Sequence, residues 1–250
     1  PWASVLVGRP GFMQAPGAKR LDVHARPIPG DPLGQALTPG AQLGFLGIEL
    51  HTRRRNRVNG HVVAADGQGF SIEVDQSVGN CPQYIQGREF AWVRDADDLR
   101  PRSTEALVAL DADARALLQR SDTLFIASHA PAAGGEPDVR TGRGADVSHR
   151  GGRPGFVKIE DDRTFVVPDF TGNFFFMTLG NLQLNPRAGV LFIDFETGDL
   201  LTLTGTAEVL WSTEDLQGFD GAERAWRFRI EAGWRLREAL PLRWAFRDFS

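Results

Sequence analysis

The residues of this chain best suited to chemistry lie at 146–152, in the run Asp-Val-Ser-His-Arg-Gly-Gly. If the run is a strand, alternation places Ser148 and Arg150 on one face and Val147 and His149 on the other. A hydroxyl, a planar guanidinium and neighbouring glycines are the parts of a phosphate cradle, because arginine offers fixed paired donors and glycine lets the backbone approach. A solvated strand end would use the same residues, so this run alone leaves both readings open. A second cluster, His51-Thr52-Arg53-Arg54-Arg55-Asn56-Arg57, is strongly basic. It has three readings: a solvated charge run, a nucleic-acid contact, or the completion of an anion site built elsewhere in the chain. A net charge of −4 argues against nucleic acid. Lysine occurs only at Lys19 and Lys158, so arginine carries nearly all positive charge and a run of arginines is less distinctive than usual.

The chain repeats itself. Ser4, Gly8, Arg9, Pro10, Gly11 and Phe12 recur 144 positions later as Ser148, Gly152, Arg153, Pro154, Gly155 and Phe156. Gly44, Leu46, Ile48, Thr52 and Gly60 recur 145 positions later as Gly189, Leu191, Ile193, Thr197 and Gly205. A period this long is not a solenoid, whose units run to roughly 20–50 residues. It implies two copies of one domain, residues 1–100 and 101–250, with the boundary in the acidic, Pro-containing stretch 95–103. The copies differ where the chemistry would sit. His149-Arg150 is matched by Val5-Leu6, whereas the run His51 to Arg57 is matched by Glu196-Thr197-Gly198-Asp199-Leu200-Leu201-Thr202.

Two domains fit in 250 residues, and the 42% hydrophobic content suits packed cores. No apolar run approaches the roughly 20 residues that span a bilayer, and no secretory leader opens the chain. The single cysteine, Cys81, has no internal partner, which suits a reducing, cytoplasmic setting. Beside Pro82 it reads as a small buried residue or as a reactive thiol. The five histidines show no metal-ligand spacing, so no metal site is expected.

To position these residues the sequence predicts many short antiparallel strands and few helices, hence small barrels. In the first half strands are expected at 2–7, 21–23, 42–50, 56–65 and 70–74, with a helix over 81–88 after Pro82. In the second half a helix is expected over 106–120, then strands at 123–130, 145–149, 155–159 and 164–167. The last two flank a hairpin turn at 160–162. A Gly/Pro loop over 130–144 should be mobile unless a ligand orders it. A helix over 174–184 should end before Asn185-Pro186, and strands at 188–195 and 200–210 should enclose the turn at Gly198. The tryptophan-rich end, 221–249, reads as helical at first and broken at Pro241. The first half lacks a counterpart of strand 123–130, so the natural polypeptide is expected to extend beyond Pro1.

In series, the Gly-Arg-Pro-Gly-Phe turn at 152–156, Pro-Asp-Phe-Thr-Gly-Asn at 168–173, Thr-Leu-Gly-Asn-Leu-x-x-Asn-Pro at 178–186, Val-Leu-Phe-Ile-Asp-Phe at 190–195 and the strand ending in Gly205 resemble the pyridoxamine 5′-phosphate oxidase-like flavin-binding split barrels. The likeness is strong over 121–211 and weaker over 2–84, and Gly79–Gln86 is similar to a segment of one branch. It implies a mainly β fold of two tandem split β-barrels forming a pseudo-dimer, with FMN at their interface. By position it assigns His149 and Arg150, beside Ser148, to the strand that grips the flavin. Pro168, Asp169 and Asn173 fall in the loop beside the ring and phosphate, and Thr178 and Asn181 in the helix that follows. Arg54, Arg55 and Asn56 fall in the hairpin that the opposing barrel offers. Where oxidases carry Arg-Lys this chain has Phe174-Phe175-Phe176-Met177, which counts against vitamin B6 oxidation itself.

Joined to the asymmetry of the copies, the resemblance implies one competent FMN site, lined also by Asn80, Gln83 and Tyr84, and an empty mirror site facing Val5, Leu6 and Asp199. The expected function is two-electron flavin redox chemistry on a small molecule or electron donor, without nucleic-acid or membrane partners, as a homodimer or fused to a reductase. Catalytic residues stay unassigned, His149 being the one nearby group that ordinarily titrates near neutrality. The alternatives are a non-catalytic flavin- or haem-binding module, the FMN-carrying part of an electron-transfer protein, or an interaction scaffold.

Overall fold

The computed structural model describes residues 1–79, 81–131, 144–172, 176–212 and 214–250. The chain is mainly β, and its sheets are open rather than closed into complete barrels. The first sheet has five antiparallel strands: β1 (Met13–Gly17), β2 (Arg20–Val23), β3 (Gln42–Glu49), β4 (Arg54–Ala65) and β5 (Phe70–Gly79), in the order β1-β2-β5-β4-β3. A short helix α1 (Leu33–Ala36) lies between β2 and β3. Strand β6 (Gly87–Trp92) then leaves this sheet, and β7 (Ser103–Leu107) joins the next one.

Helix α2 (Ala112–Arg120) is capped by Asp111, whose side chain accepts from the Ala114 N–H at 2.9 Å. The second sheet holds β8 (Thr123–Ala130), β9 (Gly144–Gly151), β10 (Lys158–Ile159), β11 (Thr164–Phe170), β12 (Arg187–Ile193), β13 (Leu200–Leu210) and β14 (Ala222–Arg237), with helix α3 (Met177–Leu184) before β12. Its order is β10-β11-β14-β13-β12-β8-β9, and β7 pairs with β14. Strand β15 (Leu242–Asp248) turns back to pair with β6 as a separate ribbon.

Five expectations are corrected. The end of the chain is strand, because Trp226, Phe228 and Ile230 alternate with Arg227, Arg229 and Glu231, and all three apolar residues are buried. A helix would have spread them around its circumference. Residues 81–88 form no helix: Tyr84 takes a left-handed backbone at φ 65°, and Gly87 onward pairs with residues about 150 positions away. Residues 103–107 are a strand, so the helix there begins only at Ala112. Residues 2–7 make no ladder. Their backbone is instead held by side chains, with the Ala3 and Pro1 carbonyls accepting from the hydroxyls of Thr202 and Thr204 at 2.8 Å each. Strand β10 is only two residues long, because the Arg153 carbonyl accepts from the Phe156 N–H in a tight turn with Gly155 at φ 90°. Strand β1 and helix α1 were not expected; the remaining strands and α3 fall within a few residues of expectation, β5 running on to Gly79. Most of the Gly/Pro loop, residues 132–143, lies outside the described residues.

The larger core fills the second sheet, around Phe165, Phe192, Trp226 and Phe228. Phe165 meets Phe192 edge-on at 5.9 Å between ring centres. A smaller core under the first sheet centres on Val62, Phe70 and Ile72. Between the sheets, β3 crosses β9 so closely that a Cβ at Gly44 would lie 2.8 Å from the backbone at Asp146 and Val147. A corresponding crossing brings β12 against residues 2–3, where a Cβ at Gly189 would lie 2.7 Å from Trp2 Cα. Only glycine admits backbones at such distances.

Candidate functional site

The crossing of β3–β4 over β9 builds one cleft, lined by Arg55, Arg57, Cys81, Gln83, Tyr84, Ser148, His149, Arg150, Gly151, Pro168, Asp169, Phe170 and Gly172. Each wall follows from local structure. Arg53, at φ 56°, turns the β3–β4 hairpin, and strand alternation sends Arg55 and Arg57 inward while Arg54 and Asn56 stay exposed. Strand β9 is the edge of the larger sheet, so side chains from both of its faces reach the cleft. Strand β11 ends in Pro168-Asp169-Phe170 opposite them.

The charges are unevenly matched. Arg57 donates to Asp146 Oδ1 at 2.8 Å and to Ser148 Oγ at 2.5 Å. Asp146, fully buried, also accepts from Thr178 Oγ1 at 3.3 Å and Asn59 Nδ2 at 3.4 Å. Arg150 pairs with Asp169 at 2.7 Å, but Asp169 is shared with Arg224 at 3.0 Å. Arg55 has no carboxylate among the described residues; it donates to His149 Nδ1 at 3.1 Å. Burial first, then Arg57 and Arg150, pushes Arg55 down to about 10. Burial likewise lowers Arg57, against the pull of Asp146.

His149 is buried and held well below its ordinary value, chiefly by burial and then by Arg55, Arg150 and Arg88. It is therefore neutral at physiological pH, which removes it as the group titrating near neutrality. Because an arginine only donates, Nδ1 accepts and the ring proton sits on Nε2. That Nε2 and the Nε atoms of Arg55, Arg57 and Arg150 are buried with no hydrogen-bond partner among the described residues. Buried polar groups are ordinarily paired. Four unpaired donors around one cleft form a site that asks for an acceptor, and the surplus cation asks for an anion.

Tyr84 and Phe170 give the cleft an aromatic surface. Tyr84 stacks on Phe170 at 5.6 Å and 28° and donates its hydroxyl to the Thr171 carbonyl at 2.8 Å. Its backbone rests on Gly151, where any Cβ would run into the Tyr84 carbonyl. Burial, with Asp169 and Glu223 nearby, raises the Tyr84 phenol above its usual value.

Of the residues singled out from the sequence, the cleft gathers Ser148, His149, Arg150, Pro168, Asp169 and Arg55, together with Gln83 and Tyr84. Arg54 and Asn56 point away from it. Thr178 lies beneath, on Asp146, and Asn181 is buried on Ser128 Oγ at 3.1 Å and the Gly144 carbonyl at 3.4 Å, so both brace the wall. Asn80 and Asn173 lie outside the described residues. Arg57 belongs to the arginine run but not to the carried-over set; its period-two spacing from Arg55 was the available signal. Cys81, read from the sequence as buried or reactive, is a partly exposed lining residue.

The family model described as pyridoxamine 5′-phosphate oxidase matches residues 110–244. A search of curated proteins finds no match. Among solved structures, HupZ from Group A Streptococcus aligns with TM-score 0.36 and 15% identity, covering 49% of this chain and 90% of that one. A protein related to general stress protein 26, of the pyridoxinephosphate oxidase family, from Clostridium acetobutylicum aligns at 0.35 and 16%, covering 54% and 92%. The FAD binding protein from Mycobacterium smegmatis aligns at 0.34 and 14%, covering 52% and 99%. With more than half of its residues matched by the family model, the chain belongs to the pyridoxamine 5′-phosphate oxidase family.

Proposed function

We propose that the cleft binds FMN through its phosphate and that the protein is a flavin-dependent oxidoreductase. The observation that carries this reading is the surplus of positive charge: Arg55, Arg57 and Arg150 converge on the cleft, and Arg55 lacks a carboxylate among the described residues. A phosphate ester supplies the missing anion, and its oxygens are the acceptors that the unpaired guanidinium nitrogens and His149 Nε2 lack. Ser148 adds a hydroxyl on the same wall. A flat aromatic ligand suits the Tyr84–Phe170 side. Family membership supports the flavin over other phosphate esters.

When bound, the flavin supplies reversible two-electron redox chemistry, and the protein supplies orientation and electrostatics. Arg55 and Arg57 would hold the FMN phosphate. Buried His149 stays neutral, holding a proton on Nε2 as a donor rather than acting as a base. The cleft therefore contains no general base active at neutral pH among its histidines, which suits transfer between the flavin and a donor or acceptor that brings its own proton balance.

The test is the absorbance spectrum of the purified protein, with released cofactor quantified per chain, followed by anaerobic addition of reduced nicotinamide. A flavin spectrum that bleaches supports the oxidoreductase. A flavin spectrum that no donor bleaches supports a non-catalytic carrier. A Soret band, or no uptake of added FMN, refutes the proposal.

A further inference from the structure

We infer that the chain is a dimer folded into one polypeptide, that it carries one ligand site rather than the two its internal symmetry would give, and that the second cleft has been converted into hydrophobic core. The inference rests on the cleft being the FMN site, and deepens that reading.

The symmetry is visible in contacts rather than in sequence alone. Gly44 packs on the backbone at 146–147, and Gly189, its counterpart, packs on the backbone at 2–3, the counterpart of 146–147. A Cβ at Gly60 would strike the Glu73 carbonyl, and one at Gly205 would strike the Arg229 carbonyl. The Arg88 N–H bonds the Leu50 carbonyl at 3.4 Å, and the Trp244 N–H bonds the Phe195 carbonyl at 2.9 Å. Glu73 to Arg229 and Arg88 to Trp244 both give an offset of 156 positions for the last third of each copy. With that offset the β6–β15 ribbon maps onto itself: the pair Phe90–Trp244 becomes the pair Arg88–Phe246, and Glu89 sits opposite its own counterpart Ala245. A twofold axis relating the copies runs through that last pair. Such self-complementary pairing is the mark of an isologous dimer interface.

The same offsets locate the mirror of the cleft. His149 maps onto Val5, Arg55 onto Leu200, Arg57 onto Thr202, and Tyr84 onto Leu240. In place of these polar and charged side chains the mirror position holds Val5, Ile28, Leu200, Leu236, Ala239 and Leu240 in one apolar cluster. Leu200, Leu236 and Leu240 are almost completely buried. Where Arg57 reaches a carboxylate, Thr202 donates to the Ala3 carbonyl at 2.8 Å. The mirror cleft is therefore filled rather than empty. It offers no anion a partner, and it binds the two copies together by apolar burial, while the surviving cleft keeps the charge that burial makes costly.

Titration with FMN, with molar mass measured by light scattering, decides the stoichiometry. The expected result is one FMN per chain at the mass of a single chain, with that one site weakened roughly 10- to 100-fold in Arg55→Met. Two FMN per chain, one FMN shared by two chains, or a class of sites that Arg55→Met leaves at full affinity would overturn the inference. If the protein takes up no FMN, the flavin reading falls and a second measurement decides the dimer-in-one-chain inference. In a Cys81→Ala background, Glu89→Cys with Ala245→Cys places two thiols opposite each other across the axis. A short thiol cross-linker should join them within one chain at unchanged mass; cross-linked pairs of chains would overturn the inference.

Discussion

Arg55→Met should make the unliganded protein more stable and the liganded protein less so. A guanidinium held at about 10 lies roughly two to three pH units under its ordinary value, which at ~1.4 kcal/mol per pH unit costs the folded state about 3 kcal/mol. The cost is present at every pH below about 10. It fades above that, where the folded protein releases the proton before the unfolded chain does. Methionine fills similar volume without charge. Against the gain stands His149 Nδ1, which loses its donor and becomes a buried unpaired acceptor at a cost of about 1–3 kcal/mol. The net expectation is about 1 kcal/mol of added stability, or about 2–4 °C in a chain of this size. A hydrogen bond to a charged group contributes about 1.5–3 kcal/mol, so FMN should bind roughly 10- to 100-fold more weakly. Melting curves with and without FMN should therefore cross, the variant melting higher without ligand and the wild type higher with it. A variant that melts lower without ligand, or that FMN stabilises as much as the wild type, would refute the account of Arg55 as a strained anion receptor.

Three further outcomes are expected. Asp146→Ala strands Arg57 in the interior without its carboxylate and should cost about 3–5 kcal/mol, read as a lowered urea midpoint with unchanged slope. Gly189→Ala forces a Cβ onto the backbone of Trp2 and should destabilise by about 1–3 kcal/mol, whereas Gly180→Ala in α3, with nothing within 4 Å, should be neutral or stabilising by up to about 1 kcal/mol. His149 keeps a depressed value in the folded state, so stability should fall as pH drops below about 6.5, where the unfolded chain's histidine takes up a proton that the buried ring refuses. His149→Phe should flatten that slope in urea titrations at pH 5–7, and an unchanged slope would assign it to other groups.

Much of the site was legible because its signals are local. Ser148, His149 and Arg150 lie on one short strand, and Arg55 lies on a hairpin whose register follows from alternation. Arg54 and Asn56 were placed by likeness to a family, and the same alternation turns them outward. The left-handed backbone at Tyr84 left no mark in residue type, since a tyrosine there is unusual. Strand β14 carries a period-two signal in Trp226, Phe228 and Ile230, but the density of helix-forming arginines and alanines gave it the look of a helix. Strand β6 was not legible at all, because its partner lies about 150 residues away and no local pattern encodes that pairing. The filled mirror cleft needed both levels: the sequence replaces His149 by Val5 and Arg55 by Leu200, and only the fold shows Leu236 and Leu240 packed in the same apolar cluster.

The β6–β15 ribbon also sets the order in which the molecule can assemble. Trp92 and Leu242 meet across a loop of about 150 residues, and neither strand joins either large sheet. Closing so long a loop before the sheets exist gains little and costs chain entropy, so the ribbon forms after both sheets have condensed. It is then a late clasp on a chain already folded. Weakening it, as by Phe90→Ser, should speed unfolding and leave the folding arm of the chevron nearly unmoved; a slowed folding arm would place the ribbon in the nucleus instead. A chain built this way owes its lifetime in the folded state, more than its speed of folding, to the one ribbon where its two halves meet as equals.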